Sequence, residues 1–177
     1  MYVWLGIDVD CQLQEIKEKA IRIEEQLKFS NSNFTLPLHI SLKMSFSIDN
    51  SVFDEVVADM DDFFNQLKGF TIEIEQLQCL DNICWIKMKQ NLLLNDIHDR
   101  LNALLKDKYG VPLHEYDCDY LFHTTLFMDS DVEKVTHAYN LVKDVDIPQS
   151  LAANRFVIGT SVSGKLGTFS IYKLYLK

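Results

Sequence analysis

A chain of 177 residues, 47% hydrophobic and 24% charged, with 6 glycines and 3 prolines, has the size and make-up of one globular domain. Those figures exclude collagen-like and disordered architectures. Its 17 basic against 26 acidic residues leave a formal net charge of −9, which disfavours a long duplex nucleic acid but leaves room for a small phosphate ester in a local pocket.

The opening Tyr2 to Val9 is a short apolar run broken by Asp8 and Asp10. It reads as a buried strand, with no signal peptide expected. No apolar stretch approaches the ~20 residues of a membrane span. Cys11, Cys79, Cys84 and Cys118 form no C-x-x-C pair, so reduced thiols in a cytoplasmic protein are expected.

Leu13, Ile16, Ala20, Ile23 and Leu27 recur at helical spacing. A polar loop follows over Phe29 to Thr35, then a strand over Leu36 to Phe46. Ser51 caps a second helix, whose stripe runs from Val52 to Leu67 and stops at Gly69. Phe70 to Leu77 and Ile83 to Lys89 read as a hairpin. A third helix carries Leu93, Leu94, Ile97, Leu101, Leu104 and Leu105 and ends at Gly110. A strand is expected at Leu121 to Met128. Ser130 and Glu133 then form a capping-box pattern for a fourth helix. Arg155 to Val162 and Thr168 to Leu176 form a last hairpin around Ser163, Gly164 and Lys165.

Two segments align without gaps: Leu38-His39-Ile40-Ser41-Leu42-Lys43-Met44 and Phe122-His123-Thr124-Thr125-Leu126-Phe127-Met128. Each lies in an order of strand, helix and hairpin. This predicts an internal repeat of about residues 36–90 and 121–176 within a single domain spanning 1–177. Two such units facing across a pseudo-twofold cleft would bring both histidines into it.

Along a strand, residues i, i+2 and i+4 share a face. His39, Ser41 and Lys43 are expected to point together, as are His123, Thr125 and Phe127. A stripe of imidazole and hydroxyl is costly to bury without partners, so two in equivalent positions suggest a lined cavity. Imidazole titrates near pH 6.5, so one ring can accept a proton while the other donates one. Phosphodiester cleavage needs both actions, on opposite sides of phosphorus. The Ser41 and Thr125 hydroxyls can donate to the non-bridging oxygens. Lys43 can add positive charge, and Phe127 or Trp4 can stack on a base. This chemistry requires neither metal nor cofactor.

The paired pattern apolar-His-x-[Ser/Thr]-apolar resembles the two-histidine (2H) phosphoesterase superfamily, which includes the 2′-5′ RNA ligase-like proteins and cyclic nucleotide phosphodiesterases. The resemblance implies an α+β, bilobal duplicated unit with two antiparallel sheets facing a central cleft and helices packed outside. It implies action on a 2′,3′-cyclic phosphate or 2′-5′ linkage of a small nucleotide or RNA end. The four family groups fall on His39, Ser41, His123 and Thr125. The expected form is a monomer without membrane or duplex partners. A binding module using the same cleft without turnover is the alternative, and a metal site from His114, Cys118 and His123 a third. His98 and His137 read as surface residues, and Asp59, Asp61 and Asp62 as a solvated helix flank.

Overall fold

A computed structural model describes residues 1–30, 32–165 and 167–177. Asn31, in the first polar loop, and Leu166, in the last hairpin turn, lie outside them.

The chain runs through β1 (Tyr2–Asp8), α1 (Gln14–Leu27), β2 (His39–Ser47), α2 (Phe53–Gln66), β3 (Phe70–Leu80) and β4 (Ile83–Met88). It continues with α3 (Leu92–Tyr109), β5 (His123–Met128), α4 (Val132–Val142), β6 (Ser150–Ala153), β7 (Arg155–Ser161) and β8 (Ser170–Leu176). The local reasons for the helices are explicit. Asn91 Oδ1 accepts from the Leu93 and Leu94 N–H groups at the start of α3, and Gly110 ends it in the left-handed region at φ 67°. At α4 the cap is Asp131, which accepts from Lys134 N–H, and not the expected Ser130. A carboxylate one residue on reaches the free amides and also suits the positive helix end. The second helix stops at Leu67, whose backbone is already extended, two residues before Gly69.

The strands form two antiparallel sheets, ordered β2-β1-β7-β8 and β5-β4-β3-β6. The architecture is α+β and duplicated, as expected, but the sheet order phases the repeat differently. β1 lies beside β2, and β4 lies beside β5. The counterpart of β4 is therefore β1, not β8. One unit is β1-α1-β2-α2-β3 and the other β4-α3-β5-α4-β7, and each hands its last strand to the other's sheet: β3 pairs with β4, and β7 with β1. β6, which the sequence pattern did not reveal, pairs with β3 through Phe70 to Glu73.

Helices cover the outer faces. Phe64 of α2 stacks on Phe156 of β7 (5.5 Å) and meets Tyr175 of β8 (5.0 Å). Each such fully buried aromatic contributes roughly 1.5–3 kcal/mol. Asp59 and Asp61 do not form a freely solvated flank: Asp59 accepts from Lys108 (2.7 Å) and Tyr109 (2.5 Å), and Asp61 from Lys173 (2.6 Å) and Tyr175 (2.5 Å). They latch α2 to the end of α3 and to β8. The motif strands β2 and β5 are the edges of their sheets and lie against each other. Among the described residues, no helix is long and apolar enough to cross a membrane.

Candidate active site

Both motif strands show the same pattern. In β2, Ile40 and Leu42 are buried while His39 and Ser41 are half-buried; in β5, Thr124 and Leu126 are buried while His123 and Thr125 are half-buried. Between the sheets opens a cavity of about 110 Å³, lined by His39 and Thr125 with Leu36, Pro37, Met128 and Phe169. Hollows of about 580 and 530 Å³ lie elsewhere, and neither is lined by a histidine.

The two imidazoles are held identically. His39 Nδ1–H donates to the Pro37 carbonyl (2.8 Å), and His123 Nδ1–H donates to the Leu121 carbonyl (2.7 Å). A carbonyl only accepts, so the neutral ring carries its proton on Nδ1 and leaves Nε2 bare. Burial lowers His39 below its ordinary 6.5. The Pro37 carbonyl pulls it upward, the charge of His123 pushes it down, and Asp8 and Asp10 pull it upward. Burial lowers His123 as well, against the pull of Leu121. Ser41 and His123 are not among the residues that line the cavity between the sheets. Asp8 is the cross-strand partner of His39, and Asp10 Oδ1 accepts from the adjoining Leu38 N–H (2.7 Å).

Each histidine rests on a tryptophan, and the chain has only two. The Trp4 ring meets His39 edge-on, with centroids 4.2 Å apart and planes at 62°. Trp85 lies against His123, also at 4.2 Å, with planes at 38°. Trp4 is 5% exposed, so it forms the floor of the site and offers no open face to a base. Its indole spans Gly6 and Gly159: a Cβ added there would meet Trp4 atoms at 2.4 and 2.5 Å. Trp4 Nε1–H donates to Ser41 Oγ (3.0 Å), which leaves the serine proton free to donate outward. Trp85 Nε1–H donates instead to Gln78 Oε1 (3.3 Å).

The shared face ends two residues past each hydroxyl. Gly6 pairs with Ser41 and Leu5 with Lys43, so β2 bulges at Leu42; Trp85 pairs with Thr125 and Cys84 with Phe127, so β5 bulges at Leu126. A bulge turns two consecutive residues inward. Lys43 is therefore buried and ion-paired with Asp117, and Phe127 packs on Phe29 (centroids 5.5 Å). Neither side chain shares the face of His39 or His123 as the simple alternation predicted. His98, expected at the surface, is 2% exposed and donates Nδ1–H to the Leu42 carbonyl (2.8 Å). His114 is occupied in capping a short 3-10 turn (Glu115–Asp119), accepting from Tyr116 N–H (3.3 Å). Among the described residues, no three His, Cys, Asp or Glu side chains are grouped to hold a metal ion.

Sequence reasoning missed Trp85, Tyr120 and Asp117. A tryptophan on the strand preceding each motif strand was the available signal for Trp85, and it needed the correct phasing of the repeat.

This duplicated α+β frame, with paired His-x-hydroxyl strands across a cleft, defines a two-histidine phosphoesterase fold. Residues 9–164 match the 2′-5′ RNA ligase superfamily, and the chain belongs to that family. A comparison with curated proteins gives no match. Among solved structures, the chain is similar to TT0787 of Thermus thermophilus, at 11% identity and a TM-score of 0.63, with 99% of this chain and 97% of that one covered. It is likewise similar to E. coli LigT in its apo form, at 18% identity and a TM-score of 0.58, covering 98% and 95%. E. coli LigT complexed with 3′-AMP matches at 17% identity and a TM-score of 0.54, covering 98% and 96%.

Proposed function

We propose that the protein is a metal-independent phosphodiesterase that hydrolyses a 2′,3′-cyclic phosphate or a 2′-5′ phosphodiester of a small nucleotide or RNA end. The observation that carries this reading is the matched pair of imidazoles. Each is locked through Nδ1 by a backbone carbonyl, with no partner on Nε2 among the described residues, and each lies two residues before a hydroxyl. Structures of E. coli LigT with 3′-AMP, NADP+ and ATP support a small nucleotide as ligand. The unpaired thiols suit a reducing, cytoplasmic setting.

In this reading, neutral His123 takes a proton from water through Nε2 as the oxygen attacks phosphorus. Protonated His39 gives its Nε2 proton to the departing ribose oxygen. One P–O bond forms, one breaks, and one water is consumed. Asp8 and Asp10 beside His39 pull its pKa upward, against the larger lowering by burial and by the charge of His123, so the assignment of acid and base rests on the leaving-group test below. Ser41 and Thr125 donate to the non-bridging oxygens, where charge accumulates.

The test is incubation with EDTA and a panel of 2′,3′-cyclic nucleotides, a 2′-5′ dinucleotide and ADP-ribose 1″,2″-cyclic phosphate. The His39→Ala/His123→Ala double variant serves as control. Turnover by the wild type alone supports the reading. Full activity in the double variant would sink it, and tight binding without product would replace it with a nucleotide-binding module. A nitrophenyl phosphodiester assigns the roles: its leaving group needs no acid, so His39→Ala retains turnover on it and His123→Ala does not.

A further inference from the structure

Lys43 lies four residues after His39 on β2, and Asp117 six residues before His123 in the Glu115–Asp119 turn. Their side chains are 2% and 1% exposed, the most deeply buried of the ion pairs among the described residues. Burial pushes the Asp117 carboxyl up, but hydrogen bonds from Lys43 and His114 N–H outweigh it and hold the group below the usual carboxylate range. An ion pair in such a place is weak support for stability, because desolvation costs several kcal/mol per ion and apolar replacements are often neutral or better. The equivalent bulge of β5 makes that point in the same molecule: Phe127 fills it with an apolar ring packed on Phe29. The ionic solution at Lys43 therefore calls for another account.

The contacts that radiate from the pair supply one. Asp117 fixes the turn that leads into β5. His98 of α3 binds the Leu42 carbonyl at the bulge (2.8 Å) and stacks on Tyr120 (centroids 4.3 Å, planes at 25°). Leu42 directly follows Ser41 of the first half-site on that strand. Leu121, the residue after Tyr120, offers its carbonyl to His123 Nδ1 in the second (2.7 Å). Residues 117–121 thus bridge both half-sites, and Lys43 is the point on the first motif strand that anchors them.

We propose that Lys43 and Asp117 are positioning residues whose buried ion pair couples the two half-sites, holding Tyr120 on His98 behind the Leu42 bulge and the Leu121 carbonyl on His123. The proposal rests on the two-histidine reading of the cleft. Lys43 itself touches no substrate. Loss of the pair lets the 117–121 segment shift, which releases the His123 tautomer and loosens the strand at the Leu42 bulge beside Ser41.

The test compares the wild type with Lys43→Met/Asp117→Asn, which leaves no unpaired charge and keeps an acceptor for His114 N–H. A second variant, Asp117→Glu, keeps the pair but lengthens one arm by a methylene. Val56→Ala, in the core of α2 and remote from the cleft, controls for lost stability. Imidazole nitrogen NMR of His123 reads the Nδ1–H tautomer without any need for turnover. The expected result is a mixed His123 tautomer in both pair variants. On a substrate that the wild type cleaves, kcat falls by about 100-fold in the double variant, a loss typical of ångström-scale misplacement, while KM moves little. Val56→Ala lowers Tm but leaves kcat and the tautomer unchanged. If the double variant fails to fold, Asp117→Glu decides. An unchanged His123 tautomer in a folded pair variant would overturn the proposal, as would wild-type kcat there or an equal fall of kcat in Val56→Ala. If the wild type turns over nothing, the cleavage reading fails, and the NMR result still decides whether the pair couples the half-sites.

Discussion

The indole N–H of Trp4 donates to Ser41 Oγ across 3.0 Å, from β1 to β2, while the same ring lies 4.2 Å from His39. One buried side chain thus sets both functional groups of the first half-site. By saturating one lone pair of the serine oxygen, the indole directs the serine proton toward the cleft. Trp4→Phe keeps a ring beneath His39 but removes the donor. Kinetics on the cleaved substrate are expected to show kcat about 10-fold lower with the fold intact. Ser41→Ala removes the phosphate donor itself, with a loss on the order of 100-fold. It also strands a buried indole N–H, which costs ~1–3 kcal/mol in stability. A Trp4→Phe variant with unchanged kcat would show that the Trp4–Ser41 bond does no catalytic service.

Because burial lowers both imidazoles below 6.5, the free protein is largely neutral at both sites at neutral pH. The base must be neutral and the acid protonated, and that combination is most populated between the two lowered pKa values. The optimum of kcat/KM, which reports the free enzyme, is therefore expected below pH 6.5. A bound phosphodiester anion favours imidazolium, so the kcat profile should sit at higher pH than that of kcat/KM. A kcat/KM optimum at or above pH ~7, the ordinary histidine range, would contradict the buried-imidazole picture. Stability follows the same sign. The unfolded histidines take up protons near pH 6.5 and the folded ones only lower, so stability is full above about 6.5 and declines as pH falls below it. His39→Ala should flatten that decline in a Tm series from pH 8 to 5.

Gly159 and Gly6 are selected by the tryptophan that lies across them. A Cβ at Gly159 would meet Trp4 Cε3 at 2.5 Å, and one at Gly6 would meet the Ile40 carbonyl oxygen at 2.8 Å as well. Trp4 is only 5% exposed, so moving its ring disturbs packed neighbours. Gly159→Ala is expected to destabilise by roughly 1–3 kcal/mol, the usual cost of overpacking. It should lower kcat as well, because the ring moves relative to His39 and Ser41. Chemical denaturation and steady-state kinetics on the same variant check both effects. A stability loss with unchanged kcat would show that the ring's placement does not govern the chemistry.

The motif residues were legible because alternation along a strand is local: His39 with Ser41 and His123 with Thr125 needed only period two. Lys43 and Phe127 were misplaced by the same rule, since a bulge shifts the period by one residue and leaves no reliable mark in composition. His98 was taken for a surface residue because a histidine among acidic and basic neighbours on a helix looks solvated; its burial depends on the Leu42 carbonyl, 56 residues away in sequence. The repeat was visible in the motif segments, but its phase was not. The exchange of β3 and β7 between sheets is set by long-range pairing, and the hairpin-like spacing of β7 and β8 mimics that of β3 and β4.

Asp129 follows β5 and ties its end to the Ser30 loop and to the start of α4. Its carboxylate accepts from Ser30 N–H (2.9 Å), Asp131 N–H (3.0 Å) and Lys134 Nζ (3.3 Å), and its side chain is 1% exposed. The Ser30 and Asp131 amides, aided by Lys134, hold it far below the ordinary carboxylate range against the opposing effect of burial. A depressed folded pKa contributes stability that is present above the unfolded value of 3.8 and lost as pH falls through the folded one. Asp129→Asn keeps one acceptor and removes the charge, so it should destabilise at pH 7 by about 1–3 kcal/mol. The difference in Tm between wild type and variant should hold from pH 7 down to about 4 and shrink from there to pH 2, because the wild type gives up its charge-dependent advantage over that range. A difference that stayed constant to pH 2 would mean that side-chain shape, and not the carboxylate charge, ties the Ser30 loop to the end of β5.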